Sequence, residues 1–571
     1  MTYQERYQAW LHDFAEDRQT VEELQSIAGD EKEIEDRFYT ELSFGTAGMR
    51  GVLGAGTNRM NLYNVRKATR GLADYINREP GQAARGVVIA FDSRRMSPEF
   101  AREAALVLCA QGIHAYLFDS LRPVPVLSFA VRYLRAIAGI VITASHNPAQ
   151  YNGYKVYWAD GAQMPPDRAD AVLACIRATD YADALPMPEA QAHAKGLLET
   201  IGTAIDDAYI ACVRTLSVQP ELMATAGKQL KIVYTPLHGS GNIPVRRILR
   251  EVGIEGVIVV KEQELPDPNF STIKVPNPED PAAFTLAMEL ADREGADCIF
   301  GTDPDCDRVG IAVKDDAGRY YLMNGNQIGC LLLYYILTSR KALGTLPANG
   351  AAVKSVVSTE LARAIATDFG VAMFDTLTGF KFIAEKIQEF EDTGAYTFLF
   401  GFEESYGFLS STFVRDKDGV NASLLIAEAA AWAKTQGKTL YDILQEIYRR
   451  YGYYDEQVVS LTLPGKDGLT RMQEIMCALR EQPPAALDDV RVLAVRDFLS
   501  GQRTAQGKST PMGLPPSDVL YFELEHDAWV CVRPSGTEPK IKLYVNTCAS
   551  NQAEAQRQNR LLLEAAQRLL A

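Results

Sequence analysis

The chain has 571 residues, which at roughly 150 residues per domain suggests about four domains, each able to bury a core without disulfides. Its composition, 47% hydrophobic and 23% charged, excludes a disordered, collagenous or disulfide-scaffold protein. With 58 basic against 73 acidic residues the formal charge is −15. Such a surface repels nucleic acid and acidic lipid, so no nucleic-acid or membrane partner is expected, and an anionic ligand needs a locally basic pocket.

The elements follow in order. The first forty residues read as helical, acidic and solvent-facing. GVVIAFD (86–92) is a β-branched strand run, and VRYLRAIA leads helically into the strand GIVITAS (139–145). KIVYTP (231–236), the helical IPVRRILREVG and VIVV (257–260) repeat the alternation, as do the helix 284–295 and DCIFGTD (297–303). QIGCLLLYYIL, VKSVVST (353–359), ELARAIATDFG and YTFLFGFEES (396–405) continue it, before an Ala-rich helix at about 420–436. Strands alternating with helices of this length imply βαβ units and largely parallel sheets. After about Gly452 the pattern changes to VVSLTL, a helix, YFELEHDAWVCVRPS, KIKLYVNT and a terminal helix, an α+β domain with antiparallel strands. The expected domains are 1–210, 211–325, 326–453 and 454–571.

Nine cysteines include no C-x-x-C pair, which argues against a thiolate metal site or a disulfide framework and for a reducing compartment. The N-terminus carries acids where a signal peptide needs basic residues. The longest apolar stretch, Ile328 to Leu337, is far short of the ~18 residues of a membrane span. A cytoplasmic location is expected.

Five stretches carry chemistry. In TASHNP (143–148), followed by YNGYK (151–155), Ser145 comes just after a buried strand, at the sheet edge where ligands bind in open α/β folds. Asn147-Pro148 marks a tight turn, so Ser145 is a candidate nucleophile or phosphate-carrying hydroxyl. The plain alternatives are a helix-capping serine and a structural His146. In GTDPDCDRVG (301–310), Asp303, Asp305 and Asp307 alternate on one short loop and repel unless a cation sits among them. Oxygen ligands favour Mg²⁺ or Mn²⁺. An EF-hand fails, with Arg308 where glycine and Lys314 where glutamate is needed; a solvated acidic turn is the remaining alternative.

GFEESYG (401–407) offers Glu403 and Ser405 to a pair of vicinal hydroxyls, or is simply an acidic surface turn. RPSGTEPK (533–540) brings Arg533, Ser535, Gly536, Thr537 and Lys540 to a turn suited to a phosphate dianion, though a surface turn between strands would look the same. FGTAGMRG (44–51) is a glycine-dense turn with Arg50 as a phosphate partner, or just a tight loop. A hydroxyl nucleophile, a cation site, a sugar-reading loop and a phosphate clamp are the parts of phosphoryl transfer on a phosphosugar.

Together, and in this order from about residue 40 to 545, these motifs resemble the α-D-phosphohexomutase superfamily. YTPLHGSGN (234–242), VPNPED (275–280) and LTGFKF (377–382) resemble its phosphoglucomutase/phosphopentomutase-like subgroup. The resemblance implies an α/β architecture of three mixed α/β domains plus a C-terminal α+β domain around a central cleft. It implies a phosphoserine at Ser145, and one Mg²⁺ per chain on Asp303, Asp305, Asp307 and a phosphate oxygen of Ser145. Lys155, Arg50 and His146 would complete the catalytic group, with Lys155 as acid/base. Arg308, Thr378, Gly379, Lys381, Glu403, Ser405, Arg533, Ser535, Gly536, Thr537 and Lys540 would hold substrate. The bacterial phosphomannomutase-like branch reads G-E-x-S-G-H in its sugar loop; here Tyr406-Gly407 stands in place of Gly-His, which argues against a histidine acid/base from this loop and weakens a mannose assignment.

The implied activity is glucose 1-phosphate/glucose 6-phosphate interconversion through a glucose 1,6-bisphosphate intermediate, with that bisphosphate as activator, by a monomer or weak homo-oligomer. Ribose 1-phosphate/ribose 5-phosphate and mannose phosphates are the alternative substrates. A metal-dependent sugar phosphatase and a non-catalytic phosphosugar-binding protein are the alternative functions.

Overall fold

The computed structural model describes residues 1–45, 48–463, 466–534 and 540–570, without the side chains of 466, 467 and 469. The chain forms two compact units: 1–325 with 387–389 and 405–439, and 326–386 with 390–404 and 440–571.

The first unit holds two sheets. In one, the strand Val87–Phe91 lies between Ala115–Phe118 and Ala138–Ile142, all parallel, and Leu198–Ile201 extends it in parallel beyond Ala115–Phe118. All five residues of Val87–Phe91 and of Ala138–Ile142 are buried, the uninterrupted apolar pattern of strands covered on both faces. The other edge is antiparallel: Tyr151–Trp158 returns beside Ala138–Ile142, and Met49–Val52 pairs with it. In the second sheet Lys231–Thr235, between Gly256–Val259 and Cys298–Thr302, is parallel to both. Val309–Lys314 then turns back antiparallel to Cys298–Thr302, with Tyr320–Met323 outside it. The two antiparallel returns, Tyr151–Trp158 and Val309–Lys314, are absent from the alternation read in the sequence. Each turns the chain back across the end of a parallel sheet, so the loop before each is pinned at both ends.

The N-terminal reading needs correction. Three helices do form, Tyr3–Asp13, Arg18–Ser26 and Glu31–Phe38, each with a side-chain cap at its start. They are not solvent-facing throughout: Tyr7, Trp10, Leu24, Ile34 and Phe38 are buried together with Ala55. Trp10 meets Phe14, Phe38, Tyr63 and Tyr181 edge-on. The spacing of Tyr7, Trp10 and Phe14 is one helical stripe, which the surrounding acids disguise in composition alone.

In the second unit Gly350–Ser355 lies between Ala372–Thr376 and Thr397–Glu403, parallel to both. The C-terminal part is antiparallel, with Lys540–Ala549 between Tyr453–Thr462 and Trp529–Pro534, followed by Leu520–Leu524 and Val490–Asp497. The helix Gln552–Arg568 buries Leu562, Ala565 and Ala566 in that sheet's core.

Candidate active site

Ser145 lies three residues beyond the strand Ala138–Ile142, in the turn before Tyr151–Trp158. No helix follows it, so the capping reading falls. Its backbone is left-handed, with φ 53°, a conformation a non-glycine residue adopts only where the surroundings impose it. Here they do. The Ser145 N–H donates to Thr143 Oγ1 at 2.9 Å, and Thr143 donates to Asp92 at 2.6 Å. Arg94, 1% exposed, donates to the carbonyls of Ser145 and Asn147 at 2.5 Å, of Pro148 at 2.9 Å and of Tyr151 at 3.1 Å. Its Nε lies 3.2 Å from the buried Asp92, and its guanidinium stacks 4.9 Å from the Phe270 ring. One planar fork thus takes up four carbonyls of the serine turn and of the strand start that follows it.

The acidic loop joins Cys298–Thr302 to Val309–Lys314, with Thr302 opposite Val309, so the three aspartates sit in the loop of a hairpin. The loop is braced from outside: the Ser240 N–H and hydroxyl both donate to Pro304 O at 2.8 Å, and Val124 N donates to Asp305 O at 2.9 Å. A Cβ on Gly239 would lie 2.5 Å from Pro304 Cα, so the approach of these two loops requires glycine there. Asp303, Asp305 and Asp307 are 0–2% exposed, which removes the solvated-turn alternative.

These two loops meet. The Ser145 hydroxyl donates to Asp303 Oδ2 at 2.9 Å and lies 3.2 Å from His146 Nδ1. Lys155, on the strand that follows the serine turn, places Nζ 2.9 Å from Asp305 Oδ2 and 3.9 Å from Asp307 Oδ2. Arg50, on the neighbouring strand opposite Gly153, donates to Asn147 Oδ1 at 3.3 Å. Arg308 pairs with Glu279 at 2.7 Å and lies 3.7 Å from Asp307.

Charge decides the protonation states. Burial and then the charges of Asp305 and Asp307 push the Asp303 carboxyl well above the usual carboxylate range. Burial also opposes ionisation of Asp305, but Lys155 and Lys417 outweigh it and hold that carboxyl below its ordinary value. Burial, then the charges of Arg308 and Arg50, hold the His146 imidazole well below its usual range, so it is neutral near pH 7. One ligand atom from each aspartate lies within 4.8 Å of the others. Asp305 Oδ1 and Asp307 Oδ1 are buried and have no hydrogen-bond partner. Buried carboxylate oxygens left unsatisfied fit a hard cation, so this cluster could hold a metal ion.

The remaining candidates lie in the second unit, apart from Ser405. Glu403 ends the strand Thr397–Glu403, and its Oε1 accepts from the Gly379 N–H at 2.7 Å. Thr378 Oγ1 is buried with no hydrogen-bond partner. Lys381 packs 5.0 Å over the Phe382 ring. Arg533 donates to the Tyr544 hydroxyl at 3.4 Å. Lys540 begins the strand Lys540–Ala549. Ser405 is half-buried, two residues beyond Glu403. Ser535, Gly536 and Thr537 lie outside the described residues, as do Thr46 and Ala47 of the Arg50 turn.

Known proteins carry the same domains in the same order. The phosphoglucomutase/phosphomannomutase α/β/α domain I model matches residues 41–183, domain II 207–318, domain III 324–451 and the C-terminal domain 481–563. The chain belongs to the phosphoglucomutase/phosphomannomutase family. A phosphoglucomutase of Staphylococcus aureus (strain MRSA252) is 39% identical over 520 residues, 90% of this chain and 92% of that protein. One from Staphylococcus epidermidis (strain RP62A) is 38% identical over 519 residues, 90% and 92% of the two chains. Among solved structures, one described as a phosphomannomutase from Thermus thermophilus superposes with TM-score 0.69 at 25% identity, covering 93% of this chain and 99% of that one. The open form of Paramecium parafusin shares the fold, with TM-score 0.65 at 18% identity and 92% and 96% coverage.

For this family member, two groups at the serine site escaped the sequence reading. Arg94 is one. Lys417 is the other: its Nζ lies 3.1 Å from Asp307 Oδ2 and 3.2 Å from Asp416 Oδ1, and Asp416 is held by the Tyr157 hydroxyl at 2.7 Å and Gln163 at 3.0 Å. Gly407, at the position where the sequence departs from Gly-His, explains how Lys417 gets there. A Cβ on Gly407 would sit 2.2 Å from Lys417 Cδ, so only glycine lets the lysine stem pass. The signal was available as a charged run, RDKD (415–418), ahead of an alanine-rich helix, where solvated charges are the ordinary expectation; all four are buried.

Proposed function

We propose that the chain is a phosphoglucomutase, interconverting glucose 1-phosphate and glucose 6-phosphate through a phosphorylated Ser145. The observation that carries this is the buried Ser145 hydroxyl, held on a left-handed turn 2.9 Å from Asp303 with Lys155 2.9 Å from Asp305. A hydroxyl that carries a phosphoryl group beside buried carboxylates needs positive charge there, which Lys155 and a cation held by the aspartates would supply.

In the proposed reaction the phosphoserine P–O bond breaks as a bond forms from the same phosphorus to the free hydroxyl oxygen of the sugar phosphate, giving the bisphosphate. The proton leaves that hydroxyl for a base, for which Lys155 and the neutral His146 beside Ser145 are the candidates. The second half runs in reverse with the other phosphate, returning it to Ser145. Asp303, Asp305 and Asp307 would hold one Mg²⁺, which supplies positive charge to the phosphoryl oxygens in flight. Lys155, Lys417, Arg50 and Arg308 add fixed charge on the protein's side. Glu403, Ser405, Thr378 and Gly379 would read sugar hydroxyls, with Lys381 adding charge. Arg533, Ser535, Gly536, Thr537 and Lys540 would grip the phosphate that is not reacting. Glucose 1,6-bisphosphate would act as activator by rephosphorylating Ser145 after loss of its phosphate.

The test is a mutase assay with Mg²⁺ and catalytic glucose 1,6-bisphosphate on glucose 1-phosphate, mannose 1-phosphate and ribose 1-phosphate. Glucose should be fastest, and Ser145→Ala should lose about 10⁴-fold or more of the rate, as when a nucleophile is removed. A preference for ribose makes the chain a phosphopentomutase; free phosphate as the main product makes it a phosphatase.

A further inference from the structure

The sheet that presents Ser145 at one end has a basic pocket at its other end. Three arginines and Ala159 line a pocket of about 510 Å³: Arg85, just before the strand Val87–Phe91; Arg135, just before Ala138–Ile142; and Arg132, near the end of the helix Val124–Tyr133. The strand registers fix its place. Ala138 pairs with Val87 on one side and with Trp158 on the other, whereas Ile142, at the serine end, pairs with Tyr154. The length of a five-residue strand, about 17 Å, therefore separates the pocket from the serine turn. Of the strands that begin or end at the pocket, Ala138–Ile142 leads at its other end into the turn of Ser145, and Tyr151–Trp158 carries Lys155 opposite Val141.

Neutral oxygens set Arg85. Arg85 Nε donates to Arg135 O at 3.0 Å, Nη2 to Ala136 O at 3.2 Å and Nη1 to Gln82 Oε1 at 2.9 Å. Arg132 Nη1 donates to Asp160 O at 2.8 Å. The nearby Asp160 carboxylate accepts from Ala162 N at 3.0 Å, closing its own turn. Among the described residues Arg85 and Arg135 make no ion pair with a carboxylate. Arg135 is exposed and left-handed, with φ 53°.

A cluster of guanidiniums repels itself, and a chain of net charge −15 has acids in surplus to neutralise one. A concave cluster of three arginines, in which Arg85 is oriented by carbonyl and amide oxygens and the charge of Arg85 and Arg135 is not matched by a carboxylate among the described residues, is the arrangement that recognises phosphate through guanidinium N–H donors. The volume suits a sugar phosphate or a nucleotide rather than a polymer.

We propose that this pocket is a second binding site, remote from Ser145, for a phosphorylated small molecule. The proposal is independent of the glucose assignment. It is tested by calorimetric titration of the full-length protein with inorganic pyrophosphate, and in parallel with inorganic phosphate, at low and moderate salt. The Arg85→Gln/Arg135→Gln double variant should bind pyrophosphate at least tenfold more weakly, both alone and in an Arg533→Gln background that weakens the clamp assigned to the reaction. Its mutase rate without pyrophosphate should stay within twofold of the parent, which separates this result from failure of the proposed function. Tighter binding of pyrophosphate than phosphate points to a diphosphate-bearing ligand, and the reverse to a monoester. Unchanged affinity in the double variant, loss of all binding with Arg533→Gln alone, or displacement by sulfate at equal concentration would each overturn the site.

Discussion

Ser145 and Glu403 both stand at the carboxyl ends of buried parallel strands, yet the groups around them differ. Around Ser145 the loop is over-determined: a left-handed residue, a threonine-capped amide and four carbonyls taken by one buried arginine. Beside Glu403, whose carboxylate accepts from the Gly379 N–H, Thr378 keeps a buried hydroxyl with no hydrogen-bond partner among the described residues. The contrast follows from what each end does in the proposed reaction. Phosphoryl transfer gains from fixed groups, because reorganisation at the moment of reaction is costly. Recognition of a sugar that must be read in two orientations gains from donors and acceptors left for the ligand.

The largest expected effect comes from loosening the rigid end. Arg94→Ala leaves Asp92 buried without its opposite charge, so it should destabilise the protein by about 3–5 kcal/mol in chemical denaturation. It should also lower kcat by roughly 10²-fold through displacement of the serine turn. Arg94→Lys keeps the charge but cannot reach four carbonyls; if it retains full kcat while stability falls, Arg94 has no positioning role. Next is Gly407→Ala, whose Cβ would strike Lys417 and draw Nζ away from Asp307. A kcat loss of about tenfold is expected, in keeping with one displaced charge, and unchanged turnover would show that Lys417 is only a counter-ion.

At the Glu403 turn, Thr378→Val removes a hydroxyl that has no hydrogen-bond partner among the described residues. It should leave the melting temperature unchanged and raise KM about 3- to 10-fold, the worth of one hydrogen bond. An equal loss of stability would mean the hydroxyl is structural, and the contrast between the two turns would fail.

The smallest effect concerns Asp418, which caps the helix Gly419–Thr435 through the N–H groups of Val420 and Asn421 and accepts from Tyr209. Burial pushes its carboxyl up to about 6. A folded value above the unfolded one means that protonation favours the fold: this contribution is complete below about pH 4 and is lost as pH rises through about 6. Asp418→Asn keeps the accepting oxygen and discards the titration. Melting followed from pH 4 to 7 should show that the variant lacks a slope of up to about 1.4 kcal/mol per pH unit that the parent carries; parallel curves would place the titration elsewhere.

Much of this was legible without coordinates. Apolar runs mark Val87–Phe91, Ala138–Ile142 and the start of Cys298–Thr302 as buried strands, and a serine or an acidic triplet soon after such a run is a site at a sheet edge. Local order is set by side-chain periodicity, which neighbours along the chain carry, so strands, helices and the motifs at their ends are written in the sequence itself. Which buried charges meet is not. Lys155 finds Asp305 across 150 positions, Ser145 finds Asp303 across 158, and Arg94 finds the serine turn across more than 50. The charged run RDKD reads as solvated until packing closes over it, and the N-terminal helices read as surface until Trp10 is seen among its aromatic partners. A charge is tolerated in a core only beside an opposite charge or a carbonyl. That partner is chosen by how sheets and loops pack, and so only the tertiary structure decided it.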